Sequence, residues 1–189
     1  MPIFQDYHRT VIGYHGTRRR TALRLVTGEQ AFEHSRQPYD WLGHGVYFWE
    51  YAPQQAWAWA KKRYGTEDIA VVASMIRLGS CFDLLDPINA ARVRAYFDRM
   101  RTEAAFTGSP LPRNFNARKY FDCHVLEYAY EAFEKEEHEI VDTCRGVYVP
   151  TGRSKRLWPN SWLSAEAHVQ LCVRNPSCVL GTWLVRPRD

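Results

Sequence analysis

Two short stretches of this 189-residue chain carry residue types suited to holding a small ligand. In Tyr14-His15-Gly16-Thr17 a histidine and a glycine close a β-rich run that begins at Thr10, and in Gly43-His44-Gly45-Val46-Tyr47-Phe48 a tyrosine enters a short apolar run from a loop broken by two glycines. A histidine can donate or accept at ligand hydroxyls, and a glycine lets a ligand approach the peptide backbone closely. A tyrosine ring can stack on a flat cationic ring and gain from a cation–π contact. A third element comes late in the chain, in His168-Val169-Gln170-Leu171-Cys172-Val173. Strand alternation there puts Val169, Leu171 and Val173 on one face and His168, Gln170 and Cys172 on the other, so Gln170 shares its face with a second polar side chain.

Other chemistries find no support. The chain has no Gly-x-Ser-x-Gly, no phosphate loop, no dinucleotide-binding Gly-x-Gly-x-x-Gly and no His-Glu-x-x-His. His124, Glu127 and His138 lie on a polar helix face without a spacing that closes a metal site.

These residues need strands and helices to position them. The N-terminal half reads strand, helix, strand, helix, strand. Thr21 can cap a helix through Ala22, Leu23, Leu25 and Val26, closed by Gly28. Gln37 to His44 reads as a loop over the site, Pro53 to Arg63 as a helix stopping at Gly65, and Ile69 to Ile76 as a buried strand. In the middle, Pro87 to Ala105 places Ile88, Ala91, Val93, Tyr96, Phe97 and Met100 at helical spacing, and a second helix follows from Arg118 to Glu134. These two helices read as an insertion over residues 87–135. Arg145 to Val149, His168 to Val173 and Val179 to Val185 return to strands, with a basic, tryptophan-bearing loop from Gly152 to Ser164.

The paired motifs resemble the diphtheria-toxin and poly(ADP-ribose) polymerase type of ADP-ribosyltransferase. That family has a His-Gly at the end of its first core strand. It also has a Gly-x-Gly-hydrophobic-Tyr-Phe strand followed by a helix with an alanine nine residues after the tyrosine, and Ala56 stands nine after Tyr47. Its third motif is a glutamate five residues before an Asn-Pro-like turn. This chain has Gln170 in that register before Asn175-Pro176.

The resemblance implies a mixed α/β core of two packed β-sheets with flanking helices and an NAD cleft between them. It implies transfer of ADP-ribose from NAD to a macromolecular acceptor, nucleic acid or protein. No metal is needed, because nicotinamide is already a cationic leaving group. His15, Tyr47 and Gln170 take the catalytic positions, with Glu166 the rival for the third. Gly16, Thr17 and Arg18 (or Arg20 beside it) are placed to hold NAD along with His15 and Tyr47. The family often supplies a second aromatic wall eleven residues after the tyrosine, where Ala58 stands, so Trp57 or Trp59 is expected to replace it. His44 reads as an exposed turn histidine. Small bacterial members of the family often act as toxins or in defence against phage, which would bring an antitoxin partner. The alternatives are an NAD glycohydrolase and a non-catalytic module binding NAD or ADP-ribose.

Composition is compatible with this reading. With 46% apolar and 14% aromatic residues, one domain over residues 1–189 can bury a sizeable core. No apolar run suits a membrane span and the start lacks a signal core, so a soluble cytoplasmic protein is expected. Five scattered cysteines form no Cys-x-x-Cys and read as buried thiols. The net charge of +4 gathers in clusters at Arg18–Arg20, Lys61–Arg63, Arg153–Arg156 and Arg186–Arg188.

Overall fold

The computed structural model describes residues 6–116, 118–149 and 156–186. Among these residues six strands form a single mixed sheet: β1 (Asp6–Arg18), β2 (Val46–Glu50), β3 (Ile69–Asp83), β4 (Thr143–Tyr148), β5 (His168–Val173) and β6 (Val179–Leu184). Four helices accompany it: α1 (Arg19–Thr27), α2 (Pro53–Tyr64), α3 (Pro87–Thr107) and α4 (Tyr120–Ala132), the last continuing as a π-helical turn through Glu137. Where two packed sheets are expected, the pairings β1–β2, β2–β5, β5–β4, β4–β3 and β3–β1 run on without a break and close a ring. The long strand β3 makes closure possible. It follows β1 from Ile69 to Ser80, passes to β4 at Cys81–Asp83, and carries β6 along Val72–Ile76.

Local signals account for the helix ends. Gly28 and Gly108 terminate α1 and α3 in the left-handed conformation that glycine adopts without strain. Pro53 and Pro87 occupy first-turn positions, and the Asp86 side chain accepts from the Ile88 N–H to cap α3.

Inside the ring, Val11, Phe48, Ile76, Leu78, Leu171 and Val173 form one buried cluster. Outside it, Leu126, Ala129, Tyr130 and Phe133 pack against Leu42, Phe82, Cys144 and Cys172. Helix α4 is therefore part of the core, whereas the sequence reads it as one arm of an insertion. Only α3 has that peripheral character: it buries Asn89 and Met100, packs Val93 and Tyr96 on the outer cluster, and leaves Ile88 and Phe106 exposed. All five cysteines are buried and unbridged. Among the described residues no helix is long and apolar enough to cross a membrane.

Candidate functional site

The site begins where β1 and β2 part. The two strands pair only at Gly13–Glu50 and Tyr14–Trp49, while β1 stays with β3 as far as Arg18. A cleft of about 610 Å³ opens at this split. His15 and Thr17 of β1, Tyr47 of β2 and Gln170 of β5 line it, as do the Gln30–Trp41 segment and Trp59 of α2. The three sequence positions expected to act together thus share one cavity.

His15 spans the split. Its Nδ1 lies 2.9 Å from the Tyr47 carbonyl oxygen, and its ring packs among Phe32, Phe48 and Trp59 at centroid distances of 5.5, 5.7 and 6.5 Å. Burial holds the imidazole below its ordinary pKa, the Tyr47 carbonyl opposing this in part, so the ring is neutral. A neutral ring that donates through Nδ1 keeps Nε2 as an acceptor. The histidine therefore offers the cleft an acceptor suited to a hydroxyl group.

Gly16 is demanded by packing. A methyl group there would lie 2.3 Å from the Ala56 carbonyl oxygen and 3.0 Å from the Ala60 Cβ. The missing side chain admits helix α2. The Gly16 backbone still has a second use. The Ile12 carbonyl accepts from Tyr51 N–H on the β2 side at 3.0 Å, and peptide groups of residues two apart point to the same strand edge. The N–H and C=O of Gly16 consequently face the β2 side, beyond the last β1–β2 pair.

Tyr47 is more deeply engaged than its motif implied. Its hydroxyl donates to the Gly43 carbonyl (2.8 Å) and accepts from Leu42 N–H (2.9 Å), and its ring packs on the outer core cluster. Burial pushes the phenol far above its ordinary pKa, so the group is a fixed neutral pin for the loop over the cleft. Gly43 has φ +83°, and a side chain there would meet Glu127 Oε1 at 2.4 Å. The first glycine of Gly-x-Gly therefore seats the loop on α4. Glu127 completes the attachment by accepting from His44 N–H and Arg174 Nη1, both at 2.7 Å, and Arg174 also donates to the His44 carbonyl at 3.1 Å. His44, expected as an exposed turn residue, is bound into this contact, its Nδ1 lying 3.5 Å from Glu127 Oε2.

Gln170 sits in a chain of hydrogen bonds. Trp41 Nε1–H donates to its Oε1 at 2.6 Å, its Nε2 lies 3.0 Å from His168 Nε2, and His168 Nδ1 lies 2.6 Å from the Glu166 carbonyl oxygen. The Trp41 ring covers Gly146, the residue opposite Gln170 on β4, and a side chain at position 146 would meet it at 3.0 Å. Glu166 precedes β5 and is not among the residues that line the cleft; its backbone carbonyl lies 2.6 Å from His168 Nδ1 and its charge acts on the same ring.

The remaining expected contacts divide. Thr17 is buried in the cleft wall. The expectation for Trp57 is corrected by the structure: it packs against Trp49, Ala56 and Val71 and is not among the residues that line the cleft, which Trp59 is. The helical turn between them rotates the two rings to different faces. Arg18 is exposed and lies over the Tyr64 ring at 5.0 Å, while Arg63 and Tyr64 themselves line the cleft mouth. Trp41, His168 and Glu127 carried no motif of their own; only the shared face of His168 and Gln170 signalled one of them.

No family model, no curated protein and no solved structure matches the chain.

Proposed function

We propose that the protein is an NAD-dependent ADP-ribosyltransferase acting on a macromolecular acceptor. The observation that carries the reading is the convergence of His15, Tyr47 and Gln170, from three strands far apart in sequence, on one cleft of about 610 Å³. That volume falls within the range of small-molecule sites, roughly 300–1,000 Å³. In this reading the His15 Nε2 accepts from a hydroxyl of the nicotinamide ribose. The edge of Gly16 pairs with the carboxamide, and the Tyr47 ring stacks on the pyridinium. Gln170 accepts from a ribose hydroxyl through the lone pair of Oε1 that Trp41 leaves unused. As the glycosidic bond to nicotinamide lengthens, its electrons leave with the ring, and the oxocarbenium-like ribose carbon is captured by the acceptor nucleophile.

The acceptor we favour is nucleic acid. Trp158 and Trp162 are exposed in the loop before β5, with relative exposures of 56% and 96%, beside Arg156. Aromatic stacking next to cationic side chains suits a single strand. Arg153 and Lys155 of the same basic cluster lie outside the described residues.

The test is incubation with labelled NAD and total cell extract, divided between protease and nuclease. Label that survives protease and is lost to nuclease supports a nucleic-acid acceptor, and label on protein alone rejects that acceptor. Free ADP-ribose without any modified macromolecule means an NAD glycohydrolase. A second reading, a binding module without catalysis, draws on Gln170 being an amide already engaged by two partners. NAD binding with no nicotinamide release establishes that reading.

A further inference from the structure

We infer that His168 is a positioning residue whose neutral imidazole sets the orientation of the Gln170 amide. The inference rests on the proposed role of Gln170 in the cleft. It is carried by the hydrogen-bond chain. The Glu166 carbonyl can only accept, so His168 Nδ1, 2.6 Å away, holds the proton. In the neutral ring Nε2 is then an acceptor, and the Gln170 group 3.0 Å from it must be the NH₂. Trp41 Nε1 can only donate, which independently requires the carbonyl oxygen of Gln170 on its side, 2.6 Å away. Both ends of the amide specify the same orientation. It presents the oxygen beside Trp41 and prevents the half-turn that would place the NH₂ against an indole N–H.

The ring is held by packing as well. Tyr148 of β4 stacks on it at 5.2 Å with the planes 28° apart, and Trp41 meets Tyr148 edge-on at 6.0 Å. Among the described residues the titratable groups set against His168 are Tyr148 and, on its own segment, Glu166; Trp41 and Gln170 are neutral. Burial lowers the imidazole pKa and outweighs the Glu166 carbonyl and charge, which raise it. Protonation turns Nε2 into a donor, so two donors then face each other and the amide is released.

The decisive experiment has two arms. In the first, ¹⁵N-labelled protein is titrated with acid and the His168 ring nitrogens and Gln170 side-chain amide are followed by NMR. The expected result is an Nδ1–H tautomer at neutral pH, with the Gln170 NH₂ resonances shifting in the same transition as His168. The shift should vanish in His168→Phe, which keeps the stacking surface and lacks the acceptor. Gln170 resonances that ignore the His168 transition overturn the inference, whatever the protein's activity.

In the second arm, nicotinamide release is measured against pH. His168→Phe should lower kcat by about 10- to 100-fold with KM little changed, the scale of losing a group that orients a functional residue. His168→Gln, which restores an acceptor oxygen, should recover most of kcat, and the acid limb that remains in it belongs to His15. A kcat in His168→Gln no better than in His168→Phe overturns the inference. Absence of nicotinamide release from the parent protein instead refutes the proposed function, while the NMR arm still decides the orientation.

Discussion

Gly16 and Ala56 touch through their backbones: a side chain at Gly16 would meet the Ala56 carbonyl oxygen at 2.3 Å. This contact sets the strand that carries His15 directly against the helix that carries Trp59. Gly16→Ala should therefore destabilise the fold by about 1–3 kcal/mol, the usual cost of overpacking against atoms that cannot yield. A melting temperature equal to the parent's would show that α2 can move away and that the contact is not tight.

His15 and Tyr47 should respond differently to truncation. His15→Ala removes the acceptor in the cleft and should abolish nicotinamide release. Tyr47→Phe keeps the ring, leaves Leu42 N–H without the hydroxyl it donates to and the Gly43 carbonyl with the weaker Cys172 Sγ–H donor, and should cost about 1–3 kcal/mol. Release by Tyr47→Phe should stay within about tenfold of the parent, on the scale of one lost neutral hydrogen bond. Tyr47→Ala, which also empties part of the outer core, should fall nearer 3–5 kcal/mol. Thermal melts recorded beside turnover separate these outcomes, and a fully active His15→Ala would remove His15 from the site.

At position 170, Gln170→Ala should lose activity by about 10² or more, the scale of one transition-state hydrogen bond. Glu166→Gln should remain near the parent at neutral pH, since the backbone carbonyl that holds His168 is kept and only the charge that raises the His168 pKa is lost. Gln170→Glu should stay active or shift toward hydrolysis. Its carboxylate would face His168 Nε2 and raise the His168 pKa, which NMR titration can read directly. A dead Glu166→Gln beside a normal Gln170→Ala would exchange the two roles.

Stability should fall on the acid side. His15 and His168 both have pKa values in the fold below the ordinary 6.5. Between the folded and unfolded values the unfolded chain binds more protons, so stability rises with pH there and the full contribution is present above about 6.5. Melts from about pH 5 to about pH 8 should show this slope, and His15→Gln combined with His168→Gln should flatten it. A parent slope of opposite sign would contradict the burial of both rings.

One end of the ring is closed by ions. Arg145 of β4 binds Glu50 of β2 through two hydrogen bonds of 2.6 and 2.8 Å and Asp83 of β3 at 3.1 Å. All three side chains are nearly buried, at 11%, 6% and 10% exposure. Glu50→Ala should cost about 3–5 kcal/mol by stranding the arginine charge, whereas replacing the whole triad with apolar residues should cost much less. Denaturant unfolding of the single and triple variants tests the difference.

Much of this architecture is legible in the chain because its signals are local. Gly28 and Gly65 mark the ends of α1 and α2, Pro53 and Pro87 their own helix starts, and β5 from His168 to Val173 shows clean alternation. The resemblance of the His15-Gly16, Tyr47 and Gln170 segments to the motifs of a known family likewise singles out three residues that line one cleft. What the chain alone could not convey depends on contacts between distant segments. Trp57 and Trp59 are equivalent in sequence, and only the docking of α2 on Gly16 turns Trp59 toward the cleft. Residues 87–135 read as an insertion because helical spacing says nothing of what a face packs against, and α4 proves to be core. The partners of Gln170 come from the loop at Trp41 and from a histidine whose tautomer is set by a backbone carbonyl. Residue types determine which side chains can hydrogen-bond, but long-range packing alone brings a particular donor within reach of a particular acceptor.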